Sequence, residues 1–362
     1  MGKHSKNTIN IKARKKDKKQ RNKMQQDKKP IEKNMSEKEL KKQEKDAKKN
    51  SKLRKKLKKI IIFIILIAIL IFAIIKGISM YKWQTIAKEM ISNTGSTIVD
   101  KDGNTIATLG SEKIHKNISF DEMPDNLKNA YVSIEDERFY KHHGVDIKRT
   151  GSAIFSYIIH FGSSSFGGSS ITQQLVKNIT GNDTSSISRK VEEWSKAVEL
   201  ELCLSKEEIL ESYLNIIYVG PNVYGVEMGA KYYFNKSARD LSLEECAFLA
   251  GINHSPNSYN PFQDTDRQEK IKKRTKLVLD KMLELEYISN EDYEKAVSNV
   301  ENGLNFKKGN LSSENNAIYS YHTDAVISEV ISDVAKKQNI DTTFATNYLN
   351  MAGLTIYSTR GL

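Results

Sequence analysis

The sequence predicts a mainly α-helical domain set behind a single N-terminal transmembrane helix, with a small β-hairpin just ahead of the domain. Three observations carry that expectation. Ile60 to Ile75 are sixteen apolar residues without interruption. Residues 96–109 alternate about an Asp102-Gly103 turn. After Pro124 the apolar positions recur at helical spacing through to about residue 300.

Taken in order, residues 1–59 hold 25 Lys+Arg against 7 Asp+Glu, while the rest of the 362-residue chain is mildly acidic. This tail of Lys, Gln, Asn and Glu has too little apolar surface to offset chain entropy and reads as disordered. The apolar run that follows spans roughly 24 Å as a helix at ~1.5 Å per residue, and Gly77 and Ile78 bring it near a ~30 Å hydrocarbon core. Lys58, Lys59 and Lys76 can snorkel from its ends, with Tyr81 and Trp83 at the far interface. A cleaved signal peptide is disfavoured, because the basic stretch is too long and no small-x-small site follows. Basic density before the helix points the tail into the cytoplasm and the remainder outside. The division is thus 1–59 basic cytoplasmic tail, 60–80 anchor, 81–300 helical domain and 301–362 a looser terminal region. Because the positive charge is confined to the tail, a nucleic-acid enzyme is a poor fit. Cys203 and Cys246 lack the neighbours of a zinc cluster and read as buried free thiols.

The hairpin alternation fits two short strands about the Asp-Gly turn. Helices are predicted over 125–138, 146–160, 170–179, 187–204, 206–217, 225–234, 243–252 and 267–286. Ser205 with Glu208, Ser242 with Glu245 and Ser289 with Asp292 have capping-box spacing. Gly162 to Gly168 is a Gly/Ser loop between helices. From 301 to 350 the pattern loosens, and the stretch from Gly353 to Thr359 reads as a strand with nothing after it to pair with.

Four blocks carry candidate chemistry. Glu135-Asp136-Glu137-Arg138-Phe139-Tyr140-Lys141-His142-His143-Gly144 puts acids at a helix C-terminus, where the macrodipole disfavours their charge, between apolar Ile134 and Phe139. That is a setting for a proton-accepting carboxylate, although an isolated Glu-Asp pair is more often a solvated helix end. In Gly167-Gly168-Ser169-Ser170-Ile171-Thr172-Gln173-Gln174-Leu175-Val176-Lys177, a glycine pair opens a helix whose free N–H groups can bind an anion, with Lys177 about two turns along. It lacks the Gly-Lys-Ser ending of a P-loop, and alone it is an ordinary Ser-capped helix. Arg189 and Glu193 are four residues apart on one helical face, which alone is a modest intrahelical contact. The block from Ile209 to Gly220 includes Tyr213, Asn215 and Tyr218, with Tyr232-Tyr233-Phe234 beyond; its periodic aromatics read as core.

In this order, behind this anchor, the blocks resemble the peptidoglycan glycosyltransferase domain of class A penicillin-binding proteins and their monofunctional relatives. The first matches that family's Glu-Asp-x-x-Phe-x-x-His-x-Gly through Glu135, Asp136, Phe139, His142 and Gly144. The second matches Gly-x-Ser-x-x-x-Gln-Gln through Gly168, Ser170 (usually Thr), Gln173 and Gln174, with Lys177 further on. The third matches Arg-Lys-x-x-Glu through Arg189, Lys190 and Glu193, and the fourth Tyr-Leu-Asn-x-x-Tyr-x-Gly through Tyr213, Asn215, Tyr218 and Gly220. A fifth, Arg-Arg-x-x-Val-Leu, is met at Arg274, Val278 and Leu279, with Thr275 in place of the second Arg. The resemblance covers about residues 90–300. Thr184-Ser185-Ser186 stand where relatives often carry a basic residue. The serine transpeptidase domain that follows in class A proteins is represented at most by its first strand near 353–359, and no Lys-Thr-Gly or Lys-Ser-Gly occurs. Ser79-x-x-Lys82 is a chance spelling at the membrane surface, so no reaction with β-lactams is expected.

The resemblance implies a lysozyme-like helical fold and polymerisation of lipid II with inversion, releasing undecaprenyl pyrophosphate. Glu135 corresponds to the base and Glu193 to the second essential acid, which positions the acceptor or a metal. Lys177 and Arg189 would meet the pyrophosphate. Asp136, Phe139, His142, Ser170, Gln173, Gln174, Lys190 and Asn215 complete the expected substrate contacts. A divalent cation (Mg²⁺ or Mn²⁺) is the implied cofactor, with no organic one. The implied partners are lipid II, its polymerised glycan, membrane lipids and other cell-wall synthesis proteins, but not nucleic acid. The apolar stretch Ile154-Phe155-Ser156-Tyr157-Ile158-Ile159-His160-Phe161 is a candidate for dipping into the bilayer. Two readings compete: a membrane-tethered muramidase, since glycan hydrolysis also uses carboxylates, and an inactive cell-wall scaffold.

Overall fold

The computed structural model describes residues 37–92, 95–110, 116–152, 168–184, 186–263, 267–311 and 320–358. The expected bilayer-dipping stretch and nearly all of the Gly/Ser loop lie outside the described residues, as does the tail before residue 37. Residues up to Gly77 and from Ile78 onward form two compact units.

The first unit contains most of α1, which runs from Glu37 to Ser92. Among the described residues it alone is long and apolar enough to cross a membrane. Its apolar side chains, Phe63 and Phe72 among them, are exposed. Two expectations are corrected here. Residues 37–59 are helical, because Lys, Glu, Gln and Ala are all good helix formers and continue the apolar helix without a break. Trp83 is not at a membrane interface: its ring is 5% exposed within the second unit's core, and its indole N–H donates to the Lys196 carbonyl at 3.1 Å. Tyr81, two residues earlier, is exposed.

The second unit begins with the hairpin. Strands β1 (Thr97–Val99) and β2 (Thr105–Thr108) pair antiparallel. The turn is fixed by Asp100, whose carboxylate accepts from the Asp102 and Asn104 backbone N–H groups, and by Gly103 at φ +87°. The terminal strand β5 (Thr355–Tyr357) pairs parallel with β1, so its expected lack of a partner is overturned. The partner lies some 250 residues upstream in sequence, where no local pattern could reveal it.

Helices α2 (Asp125–Glu135), α3 (Ile171–Thr180), α4 (Ile187–Glu201), α5 (Lys206–Ile216), α6 (Val226–Phe234), α7 (Leu243–Ile252), α8 (Gln268–Glu284) and α9 (Asn290–Asn302) build the domain. The short strands β3 (Tyr218–Gly220) and β4 (Val223–Tyr224) join α5 to α6. Of the expected helix over 146–160, residues 147–152 are helical and the rest is undescribed. The predicted 125–138 helix stops at 135 because Asp136 leaves helical geometry (φ −157°, ψ 73°). Capping boxes at Ser205 and Ser242 start α5 and α7, and the Ser289 hydroxyl caps α9.

Helix α7 sits centrally, packed against α2 and α8; α3 packs between α4 and α5. Tyr131, Phe139, Tyr213, Tyr233 and Phe248 are fully or almost fully buried, so Tyr213 and Tyr233 are core residues as expected. Their hydroxyls still need partners, and Tyr233 donates to the Val219 carbonyl at 2.8 Å. The supposedly loose region after 301 contains α10 (Tyr321–Gln338) and α11 (Thr342–Met351), both Ser- or Asp-capped. Their mixed faces hid the helical period. Both cysteines are free thiols, Cys246 buried and Cys203 half-buried.

Candidate active site

Helix α3 is the rail on which the site is built. Ser170 starts it with a capping box: its hydroxyl accepts from the Gln173 N–H at 3.1 Å, and the Gln173 side-chain oxygen accepts from the Ser170 N–H at 3.1 Å. The Ser170 hydroxyl donates at 2.5 Å to the Gly144 carbonyl, tying the first motif to the second. The two glutamines then point to different neighbours.

Gln174 reaches Glu135 at the end of α2. Its amide donates to Oε2 of Glu135 at 2.8 Å, and the Asn253 amide donates to Oε1 at 3.0 Å. Asn253 also donates to the Tyr213 hydroxyl at 2.9 Å, and that hydroxyl donates to the Gln174 side-chain oxygen at 3.0 Å. The four side chains thus close a ring that fixes a half-buried carboxylate. Burial and the nearby Glu135 charge push the Tyr213 phenol well above its ordinary pKa, so it remains a donor. The Glu135 carbonyl is held separately by the Arg149 guanidinium at 2.6 Å.

Gln173 reaches the other way, to Glu193 on α4, at 2.9 Å. Glu193 is 6% exposed and also accepts from Arg189 at 2.6 Å and from the Lys190 ammonium, which in addition donates to Ser169 at 2.8 Å. The Arg189–Glu193 contact expected from spacing is therefore present. Lys177 is exposed on the last turn of α3, three residues beyond Gln174 and so on the same face. Its ammonium has no partner among the described residues. Lys177, Arg189 and Glu193 line one shallow depression, into which Asp341 of α11 also looks. The Arg189 Nε–H is buried and unpartnered among the described residues.

Several expected ligand contacts turn out to be internal. Asp136 is 1% exposed, and its Oδ2 accepts from the first N–H of α3 (Ile171) at 3.0 Å while meeting His142 Nε2 at 2.9 Å. Phe139 is fully buried, with the Lys206 ammonium 4.4 Å over its ring. Ser170 and Gln173 are spent on capping and on Glu193. Asn215 makes a two-way pair with the Ile118 backbone, at 3.0 and 2.9 Å, and lines a separate cavity of about 500 Å³. Asp136, Phe139, His142, Ser170, Gln173 and Asn215 are thus packed or bonded within the protein, while Asp136 Oδ1 and His142 Nδ1 are buried without a partner among the described residues.

The metal expectation at Glu193 does not fit either. A hard divalent cation needs several free oxygen ligands. Both Glu193 oxygens are occupied by an arginine, a lysine and an amide, leaving local positive charge. Among the described residues, no three His, Cys, Asp or Glu side chains converge to hold a metal.

Beside the first motif, Asp146 pairs with Arg138 and accepts the Arg149 N–H at 2.9 Å. Burial opposes its ionisation, but the Arg149 N–H and the Arg138 guanidinium outweigh it and hold the carboxyl below its ordinary value. Asn253 and Arg149 were absent from the sequence-based site. The one hint for Asn253 is a polar amide directly after the apolar run Cys246 to Ile252 of α7.

The segment that holds these residues is similar to known proteins. The transglycosylase family model matches residues 102–283, half of the chain. Penicillin-binding protein 1A of Clostridium botulinum is 44% identical over 248 residues, covering 67% of this chain and 30% of that protein. The Clostridium tetani protein of the same name is 40% identical over 269 residues, covering 73% of this chain and 34% of that one. The chain thus spans about a third of the length of the curated relatives it matches. A carboxylate in an amide ring and a cationic depression joined by one helix therefore lie inside the matched segment, and the chain belongs to the transglycosylase family.

Proposed function

We propose that this chain is a peptidoglycan glycosyltransferase that polymerises lipid II into glycan strands on the outer face of the cytoplasmic membrane. The acceptor's GlcNAc 4-hydroxyl attacks C1 of the donor chain's terminal MurNAc. The new C1–O bond forms as the C1–pyrophosphate bond breaks, with inversion. Glu135 accepts the hydroxyl proton; a positioned base of this kind is worth roughly 10²–10⁴ in rate. Undecaprenyl pyrophosphate departs with the electron pair, its charge met by Lys177 and Arg189. Glu193 acts as a positioning residue, holding Arg189 and Lys190 in place through two charge-assisted bonds.

One observation carries the reading: Gln174 grips Glu135 while Lys177, one turn further along the same face of α3, stands at a depression shared with Arg189. One short helix thereby holds the base through Gln174 and carries the leaving-group cation itself. The excess of Lys and Arg before the apolar run supports the orientation, with the tail cytoplasmic. The membrane-crossing helix suits a substrate that cannot leave the bilayer.

Incubation of the full chain in detergent with purified lipid II is the test. Polymer is expected from the parent, and Glu135→Gln should lower its rate by about 10²–10⁴. An unchanged rate removes Glu135 as the base. Release of muropeptides from preformed wall, with no polymer from lipid II, would assign a hydrolase instead.

A further inference from the structure

Helix α11 lies outside the segment matched to the family, yet it packs directly on α3. The Asn347 side-chain amide donates to the Asn178 and Ile179 carbonyls at 3.5 and 3.3 Å. Those carbonyls belong to the last turn of α3, whose acceptors have no intrahelical partners. The helix ends at Gly181, in left-handed geometry at φ +67°. A Cβ there would fall 2.4 Å from the Asn347 amide nitrogen, so the Asn347 side chain lies directly against Gly181. Lys177 sits in this same turn, and its carbonyl accepts the Gly181 N–H at 2.8 Å.

Helix α11 is itself fixed. Phe344 is 3% exposed and meets the Trp83 ring edge-on at 6.0 Å, with the Lys196 ammonium within about 5 Å of both rings. The Tyr348 hydroxyl donates to Glu89 at 2.6 Å. At its start, Asp341 caps the helix through the Phe344 N–H at 2.8 Å and borders the depression that Lys177 and Arg189 line.

We propose that Asn347 is a positioning residue for Lys177: α11 caps the last turn of α3 and so holds the Lys177 ammonium where it meets the leaving diphosphate. The assignment of Lys177 to the diphosphate rests on the function proposed above; the capping by Asn347 does not. Without the cap the turn frays, and the ammonium samples positions away from the depression.

A double-mutant cycle on the full chain tests this, with Asn347→Leu and Lys177→Ala made singly and together. Two readouts are followed: affinity for inorganic pyrophosphate by calorimetry, and polymerisation of lipid II. Asn347→Leu should weaken pyrophosphate binding about fivefold, the factor of one ordinary hydrogen bond, with a parallel loss of polymerisation rate. In the Lys177→Ala background the same substitution should do nothing further, and Asn347→Gln, which keeps the amide, should recover part of the loss. Equal effects of Asn347→Leu in both backgrounds would overturn the proposal, because a merely structural role does not depend on the lysine. Should the parent bind pyrophosphate but make no polymer, the glycosyltransferase reading falls and the cycle is still read from binding. Polymerisation without measurable pyrophosphate binding leaves the cycle to be read from rate. A parent with neither property refutes both.

Discussion

Tyr213→Phe isolates the amide ring around Glu135. The ring of Tyr213 packs edge-on against Tyr131 at 6.3 Å, and phenylalanine retains that contact. Only the hydroxyl is lost, and with it the 3.0 Å bond to Gln174 and the 2.9 Å bond from Asn253. One acceptor and one N–H then lack partners in a partly buried pocket. At about 1 kcal/mol per net hydrogen bond, the folded state should lose about 2 kcal/mol. For a domain of this size that is a fall in Tm of about 4–8 °C. With its oxygen unpartnered, the Gln174 amide is free to turn away from Glu135. The carboxylate then keeps one of its two side-chain donors, and lipid II polymerisation should drop about tenfold, the equivalent of 1.4 kcal/mol. Because the phenol's pKa is pushed well above its ordinary value by burial and by Glu135, both losses should be the same at pH 6 and pH 9. Thermal unfolding followed by circular dichroism, alongside the polymerisation assay, measures them. A Tm within 1 °C of the parent together with an unchanged rate would refute the ring as the element that orders Glu135.

Two further substitutions test how the site is supported. Gly144 lies at φ +82°, and a Cβ there would stand 2.6 Å from the Ala197 carbonyl group, so Gly144→Ala should cost at least about 3 kcal/mol or prevent folding, read from Tm or soluble yield. Glu227 is 1% exposed; burial disfavours its charge, but the Ala238 N–H at 2.8 Å, the Ser237 hydroxyl at 3.0 Å and Lys231 more than offset this and lower its pKa. A carboxyl whose folded pKa is depressed stabilises fully above its unfolded value, about 4.3, and loses that contribution as pH falls through the folded value. Glu227→Gln should therefore lower Tm at pH 7, and the gap to the parent should close as pH falls below about 4; a gap that persists in acid would refute the charge as its source.

Local chemistry made much of this protein legible without coordinates. An unbroken apolar run, Ser-x-x-Glu caps and an Asp-Gly turn each act within a few residues, so the membrane-crossing helix, the starts of α5 and α7 and the β1–β2 hairpin follow from sequence alone. Ordered motifs likewise identified Glu135, Gln174, Lys177, Arg189 and Glu193 as the residues to watch. What they touch was decided by packing. Asp136 and Asn215 look like ligand contacts as letters, and in the fold Asp136 Oδ2 accepts the first N–H of α3 while the Asn215 amide pairs with the Ile118 backbone. Asn253 enters the site from 118 residues beyond Glu135, and Asn347 reaches α3 across 168. The terminal strand finds its partner in β1, next to α1. Pairings over such distances depend on which buried surfaces meet, a property of the whole chain that no window of neighbouring residues contains.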